Sequence, residues 1–166
     1  MEQTAAAETR SRQELFKSAF REHPAGVAVI SAMSAAGPVG LTASSVASVA
    51  VDPMTLSFSV TRTNGSAGGL LEAQTISVHL LGEHHVDLAD AFARSGAPRF
   101  TPEQGWSAFE GGEPLLDDAR ATLLCRVTHI IKVGSSSVVL AEVLDIRIGE
   151  PAPPLIYHDR HFRRLA

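Results

Sequence analysis

Short apolar runs alternate with polar breaks along this chain, and the spacing within the runs shifts from helical to strand-like. Leu15, Phe16, Ala19, Phe20 and His23 recur at helical spacing, and Ser11 with Glu14 has the form of a capping box. This predicts a helix from Ser11 that Pro24 and Gly26 end, with residues 1–10 a disordered, frayed terminus. Val27 to Met33 is largely β-branched and apolar, the pattern of a buried strand. Gly37-Pro38 reads as a turn, with Val39 to Ser45 returning as the second strand of a hairpin. Asp52-Pro53 then breaks the chain direction. Met54, Leu56, Phe58 and Val60 alternate with Thr55, Ser57 and Ser59, which marks a half-buried strand.

Beyond it, Thr63 to Gly69 is a polar, Gly-rich loop leading into a short helix near Leu70 to Ala73. Ile76 to Leu81 reads as a strand, and Val86 to Arg94 as a short amphipathic helix ended by Gly96 and Pro98. Arg99 to Pro114, which holds the only Trp, is a long excursion. Ala121 to Ile131 and Val138 to Ile148 are long β-type runs around the polar tip Gly134-Ser135-Ser136-Ser137. Pro151 to Pro154 is a stiff connector before a last short strand, Leu155 to Tyr157. Strands outnumber helices and several neighbours are hairpin-like. The expectation is one domain over 11–166, mainly β: an antiparallel barrel with peripheral helices.

Composition narrows the function classes. The 166 residues carry 14 Lys+Arg and 18 Asp+Glu, a net charge of −4. With no basic cluster, neither a nucleic-acid partner nor a membrane surface is expected. No apolar run approaches the roughly 20 residues of a membrane span, and the start lacks a signal peptide's apolar core. The single cysteine, Cys125, cannot form an internal disulfide, so a soluble, cytoplasmic protein is expected.

Standard catalytic signatures are absent. Neither Lys17 nor Lys132 follows a Gly-rich run at P-loop spacing, and there is no GxGxxG after a strand and no GxSxG elbow. His84 and His85 are adjacent, so their rings are expected to diverge, and His158 and His161 lack further ligands nearby. No metal site and no catalytic side chain are assigned. Cys125 reads as a small buried apolar residue. The richest constellation is Gly40-Leu41-Thr42-Ala43-Ser44-Ser45 with Ser48-Val49-Ala50-Val51-Asp52-Pro53. Small side chains with hydroxyls suit a flat, polar-rimmed ring plus a phosphate, and equally a tight strand corner.

Taken in order, several segments together resemble the flavin reductase-like family with an FMN-binding split β-barrel. They include Phe20-Arg21, Pro24 to Ile30, Gly37 to Ser45, Ser48 to Pro53, Arg99-Phe100, Glu142-Val143 and Pro154 to Tyr157 with Arg160. The resemblance implies a homodimeric six-stranded barrel holding FMN or FAD near the subunit interface, with NADH or NADPH as co-substrate. It implies an NAD(P)H:flavin oxidoreductase that supplies reduced flavin to a partner flavin-dependent monooxygenase. In that frame Thr42, Ala43, Ser44 and Ser45 line the flavin, with Ser48 and Val49 along the ring edge. Ser59 begins the phosphate-side loop, where Arg62, Asn64 and Ser66 are the candidate contacts. Ser135, Ser136, Tyr157 and Arg160 are assigned to the nucleotide or substrate side. The tip departs from the family's usual Gly-Asp-His, and His79 stands where an Asn is common. A flavin-binding protein without efficient NAD(P)H oxidation, acting in redox transfer or directly on a metabolite, is therefore the alternative.

Overall fold

A computed structural model describes residues 2–61 and 65–165, with the backbone alone for residues 2–7. In chain order the elements begin with α1 (Glu2–Glu22), β1 (Ala25–Gly26), β2 (Ala28–Ser34), β3 (Gly37–Ala43), β4 (Ala47–Val51) and β5 (Met54–Val60). There follow α2 (Ser66–Glu72), β6 (Thr75–Leu80), α3 (Val86–Ala93), β7 (Trp106–Ala108) and β8 (Pro114–Leu116). The chain closes with β9 (Ala121–Val133), β10 (Ser136–Ile148), β11 (Leu155–His158) and β12 (His161–Arg164).

Seven strands form one antiparallel sheet in the order β3-β2-β6-β9-β10-β5-β4. Its two edge strands, β3 and β4, are consecutive in sequence, joined only by Ser44, Ser45 and Val46. At roughly 4.8 Å per strand spacing, a flat sheet would hold its edges about 29 Å apart. Four Cα steps reach at most about 15 Å. The sheet must therefore curl until its edges meet, and the barrel stays split there because no ladder joins β3 to β4 or β5 among the described residues. A small sheet, β1-β11-β12, is tied to the ends of β2 and β6 by backbone hydrogen bonds of Leu155 with Val27 and Leu81.

Two cores follow from the alternation. Ala28, Ile30 and Ala32 on β2 point into the barrel with Leu56, Phe58, Val60, Val78 and Val139. Val27 and Val29 point the other way, onto Leu88, Ala89 and Phe92 of α3 and onto Leu116 and Leu155. A strand covered on both faces reads as a continuous apolar run, which is why the Val27 to Met33 pattern looked fully buried.

Several sequence expectations change. α1 begins at Glu2, ahead of the helix start at Ser11 that the capping box predicts. The hairpin turn falls at Ala35-Ala36, and Pro38 sits inside β3, where an edge strand tolerates the missing N–H. The barrel has seven strands rather than six because Ala47–Val51 pairs along β5. The hairpin partner β12 was not anticipated, since His161 to Arg164 has no apolar alternation.

His79 lies on the outer face of β6 and is fully buried beneath Trp106, whose ring meets it edge-on at 5.1 Å. Its Nε2 hydrogen-bonds with Ser31 Oγ on β2 at 2.9 Å, and its Nδ1 with Thr122 Oγ1 on β9 at 3.0 Å. One imidazole thus ties three strands together, away from the barrel split. Burial, with a smaller contribution from the His85 charge, pushes its pKa from 6.5 down to about 3. The folded protein therefore holds His79 neutral, while the unfolded chain takes up a proton below 6.5. Stability is full above that pH and is lost as the pH falls from 6.5 toward 3, by at most about 1.4 kcal/mol per unit for this group. Melting temperatures taken from pH 7.5 to 4.5 are expected to fall, and to fall less steeply in His79→Gln. Parallel acid slopes for the two proteins would show that His79 is not the cause.

Candidate functional site

At the split, β3, the Ser44–Val46 link, the end of β5 and the starts and ends of two helices leave a trough. Its largest polar part is a cavity of about 580 Å³ walled by Thr42, Ser59, Thr61, Ser66, Ser95 and Arg99 among others. A smaller space of about 190 Å³ shares Thr42 with it and adds Ser44 and Tyr157. Ser44 and Tyr157 in turn border an apolar groove of about 720 Å³ beneath Phe16 and Phe20 of α1, with Arg160 at its margin. Shared walls thus string the three spaces along β3. Volumes of this size suit a nucleotide-sized ligand.

The serine and threonine hydroxyls that the sequence singles out are not equivalent. Thr42 Oγ1 donates to the Ala89 carbonyl of α3 at 2.6 Å, which fastens that helix to β3. Ser45 Oγ accepts the Ser59 N–H at 3.0 Å and donates to the Ser59 carbonyl at 3.3 Å. A side chain thereby ties the link between β3 and β4 to β5, in register with the Ala47–Ser57 pair. Ala43 points into the barrel core, so of the four residues only its backbone can border the trough. Ser44, exposed and bordering two of the three spaces, is the one left with its side chain open to the trough.

The other assigned residues separate. Ser59 and Ser66 line the polar cavity, and Tyr157 and Arg160 line the groove. Ser48 and Val49 lie on the exposed edge strand β4, with Val49 the extra residue of a bulge opposite β5. They border none of the three spaces of the trough. Ser135 sits in the tight turn between β9 and β10, and Ser136 begins β10, whose Ser137 pairs with Val60. This register brings the tip to the same end of β5 as the polar cavity. Arg62 and Asn64 lie outside the described residues.

Arg99 was not assigned to the site, yet it organises the cavity. Its Nε donates to the Ala91 carbonyl at 3.2 Å, and Nη1 donates to the Gly40 carbonyl at 3.0 Å and to Ser66 Oγ at 2.8 Å. Its Nη2 donates to the Arg94 carbonyl, and its guanidinium lies 5.6 Å from the Phe92 ring centre. Burial pulls its pKa below the usual arginine value. The close approach of Phe92 also explains Gly40: a Cβ there would stand 2.8 Å from the ring. Nothing in local periodicity points to Arg99, because its acceptors are 5 to 59 residues away.

Away from the trough, the histidine expectation is corrected. His84 and His85 do not diverge: their ring centres are 3.9 Å apart, and both Nε2 atoms reach Asp118, at 3.3 and 2.9 Å. The turn of 3₁₀ helix over Glu83–His85 brings both rings to one side. Burial works to raise the Asp118 carboxyl, but the His85 hydrogen bond, helped by His84 beside it, outweighs that and lowers its pKa. The ligand atoms of this trio lie within 4.8 Å of one another. However, the Gly82 N–H donates to His85 Nδ1 at 3.1 Å, which leaves the ring proton on Nε2, facing Asp118. A metal would have to displace that proton, so the trio is a hydrogen-bonded cluster. Cys125 is fully buried and its thiol is pushed up to about 12 by desolvation, which makes it unreactive.

The flavin reductase like domain family matches residues 20–166. An NADH:FMN oxidoreductase of Rhodococcus erythropolis is 38% identical over 153 residues, covering 90% of this chain and 80% of that protein. The reductase component of a Pseudomonas aeruginosa 4-hydroxyphenylacetate 3-monooxygenase is 32% identical over 160 residues, covering 93% and 92%. The solved structure of a Streptomyces globisporus NADH:FAD oxidoreductase, in complex with NAD and FAD fragments, superposes with a TM-score of 0.84 at 25% identity. It covers 93% of each chain.

Ser45→Ala removes both bonds that tie the link to β5. The variant is expected to lose about 1 kcal/mol, measured as a shift in the denaturant midpoint. An unchanged midpoint would mean that solvent replaces the hydroxyl at no cost.

Proposed function

This chain belongs to the flavin reductase-like domain family, and we propose that it works as an NAD(P)H:flavin oxidoreductase through the trough along β3. The observation that carries the reading is the trough itself: small hydroxyl-bearing walls, an approach to backbone across the split, and a cation at one end. Those features fit a flat ring with a phosphorylated tail, whether FMN or FAD. The flavin supplies the redox chemistry when bound, as acceptor of a hydride from NADH or NADPH. The chain's own work is binding and alignment. Thr42, Ala43, Ser44 and Ser45 offer the ring backbone groups and the Ser44 hydroxyl, while Thr42 and Ser45 hold the walls in place through α3 and β5. Ser48 and Val49, on β4, border none of the trough's three spaces and so take no part in this reading. Ser59, Arg62, Asn64 and Ser66 take the phosphate side.

Tyr157 and Arg160 in the groove, with Ser135 and Ser136 at the tip, face the nicotinamide nucleotide or the substrate in this reading. Serines there can hydrogen-bond a carboxamide, but they offer no ring to stack on. Alignment of the nucleotide then rests on the groove side, where Tyr157 and Phe162 pack at 5.4 Å.

The protein is expected to act as a homodimer. Val51 is 89% exposed, Ile148 78% and Phe16 65%, an apolar surface that a second copy would cover. A dimer would also complete the groove beneath α1, and the reduced flavin made there would serve a flavin-dependent monooxygenase. No helix among the described residues is long and apolar enough to cross a membrane.

Purified protein with FMN or FAD is expected to bleach the flavin absorbance band on anaerobic addition of NADH or NADPH. Flavin that binds but is not bleached by either nucleotide would favour redox transfer or direct action on a metabolite. Light scattering on the eluting peak should give twice the chain mass, and Val51→Asp should shift it toward the monomer. A monomeric wild type would overturn the dimer.

A further inference from the structure

We propose that Arg99, acting with Ser66, is the residue that makes this site prefer phosphorylated flavins over riboflavin. The inference rests on the flavin reading above and adds a named determinant to it. The first observation is charge. All four acceptors of the Arg99 guanidinium are neutral: three backbone carbonyls and the Ser66 hydroxyl. Among the described residues no carboxylate pairs with it, and the nearby Asp90 is engaged by Arg94 at 2.9 Å. A part-buried cation whose only partners are dipoles retains its full charge for whatever enters the cavity it lines.

The second observation is donor direction. Arginine has five N–H groups; four are engaged here, which leaves one on Nη2. Ser66 Oγ accepts from Arg99, so its own hydrogen is free to point into the cavity as a donor. Arg99 therefore contributes twice, by its charge and by fixing Ser66 as a donor. Ser59, Thr61 and Ser95 add further hydroxyls to the same wall, and no acidic side chain stands among the described residues lining the cavity. A donor-rich, acid-free wall around an uncompensated cation selects an anion with several acceptor oxygens, which is the chemistry of a phosphate ester.

The clamp has a positioning role as well. Arg99 holds the end of α3 through Ala91 and Arg94, β3 through Gly40 and the start of α2 through Ser66. These are three of the cavity's sides. An anion bound to the guanidinium would meet donors already arranged, with little reordering of the wall.

The test titrates the full-length protein with riboflavin, FMN and FAD, following quenching of flavin fluorescence. Wild type is expected to bind FMN and FAD at least about tenfold more tightly than riboflavin, since a charge-assisted hydrogen bond is worth about that factor. In Arg99→Gln that ratio should fall to within about threefold, because losing the wall bonds affects all three flavins alike whereas losing the charge affects only the phosphorylated ones. Ser66→Ala, which leaves the guanidinium in place, should lower the ratio part of the way and covers the case in which Arg99→Gln does not fold. Equal wild-type affinity for riboflavin and FMN would overturn the proposal and leave the flavin reading intact. So would a loss in Arg99→Gln that is the same for all three flavins, the mark of a purely structural clamp. Failure of all three flavins to bind wild type would instead overturn the flavin reading, and this inference with it.

Discussion

Three residues, Ser44, Ser45 and Val46, join the two opposite edges of a seven-stranded sheet, and the rest of the molecule follows from that short link. It forces the sheet to curl, so that the inner face becomes a closed apolar core, while β2, next to the edge strand β3, is buried on both sides. β3 and β4 do not pair with each other among the described residues, so a gap persists in the ladder where the two edges meet. Beside the seam the Ser45 hydroxyl, exposed to solvent, bonds both backbone groups of Ser59 and so anchors the link to β5.

The same seam is where a ligand can approach the backbone. Elsewhere on the barrel, backbone groups are tied up in ladders and side chains stand between them and solvent. At the split the walls are Thr, Ser and Ala, and the helices α2 and α3 are held back from the gap rather than packed into it. That spacing is maintained by polar contacts of long sequence separation: Thr42 to Ala89, and Arg99 to Gly40 and Ser66. Small residues alone would let the walls collapse. Polar struts keep the trough open, and this is consistent with a site that admits a flat cofactor and a second nucleotide from solution.

Much of this was legible in the chain. The strands over β2, β5, β6, β9 and β10 announce themselves by period or by continuous β-branched runs, and the small-residue stretch from Gly40 to Ser45 marks the site. What stayed hidden has physical reasons. The extension of α1 through its Ala-rich start has no apolar stripe to show it, and β12 pairs through its backbone without an alternating face. The convergence of His84 and His85 depends on a 3₁₀ turn that adjacent positions in a sequence do not encode.

Period, turn residues and small side chains act locally, so the class of fold and the small-residue stretch of β3 are legible in the chain, and the ordered segments carry the family resemblance. Which of those residues open onto the trough depends on the neighbours that folding supplies. Thr42 and Ser45 look alike on paper with Ser44, yet their hydroxyls are engaged by Ala89 and Ser59, residues 47 and 14 positions away. Arg99, ordinary in its own segment, becomes the charge at the end of the trough. The reason is that hydrogen-bond satisfaction and desolvation are set by whatever folding brings within about 3 Å, and strand order, not sequence distance, chooses those neighbours.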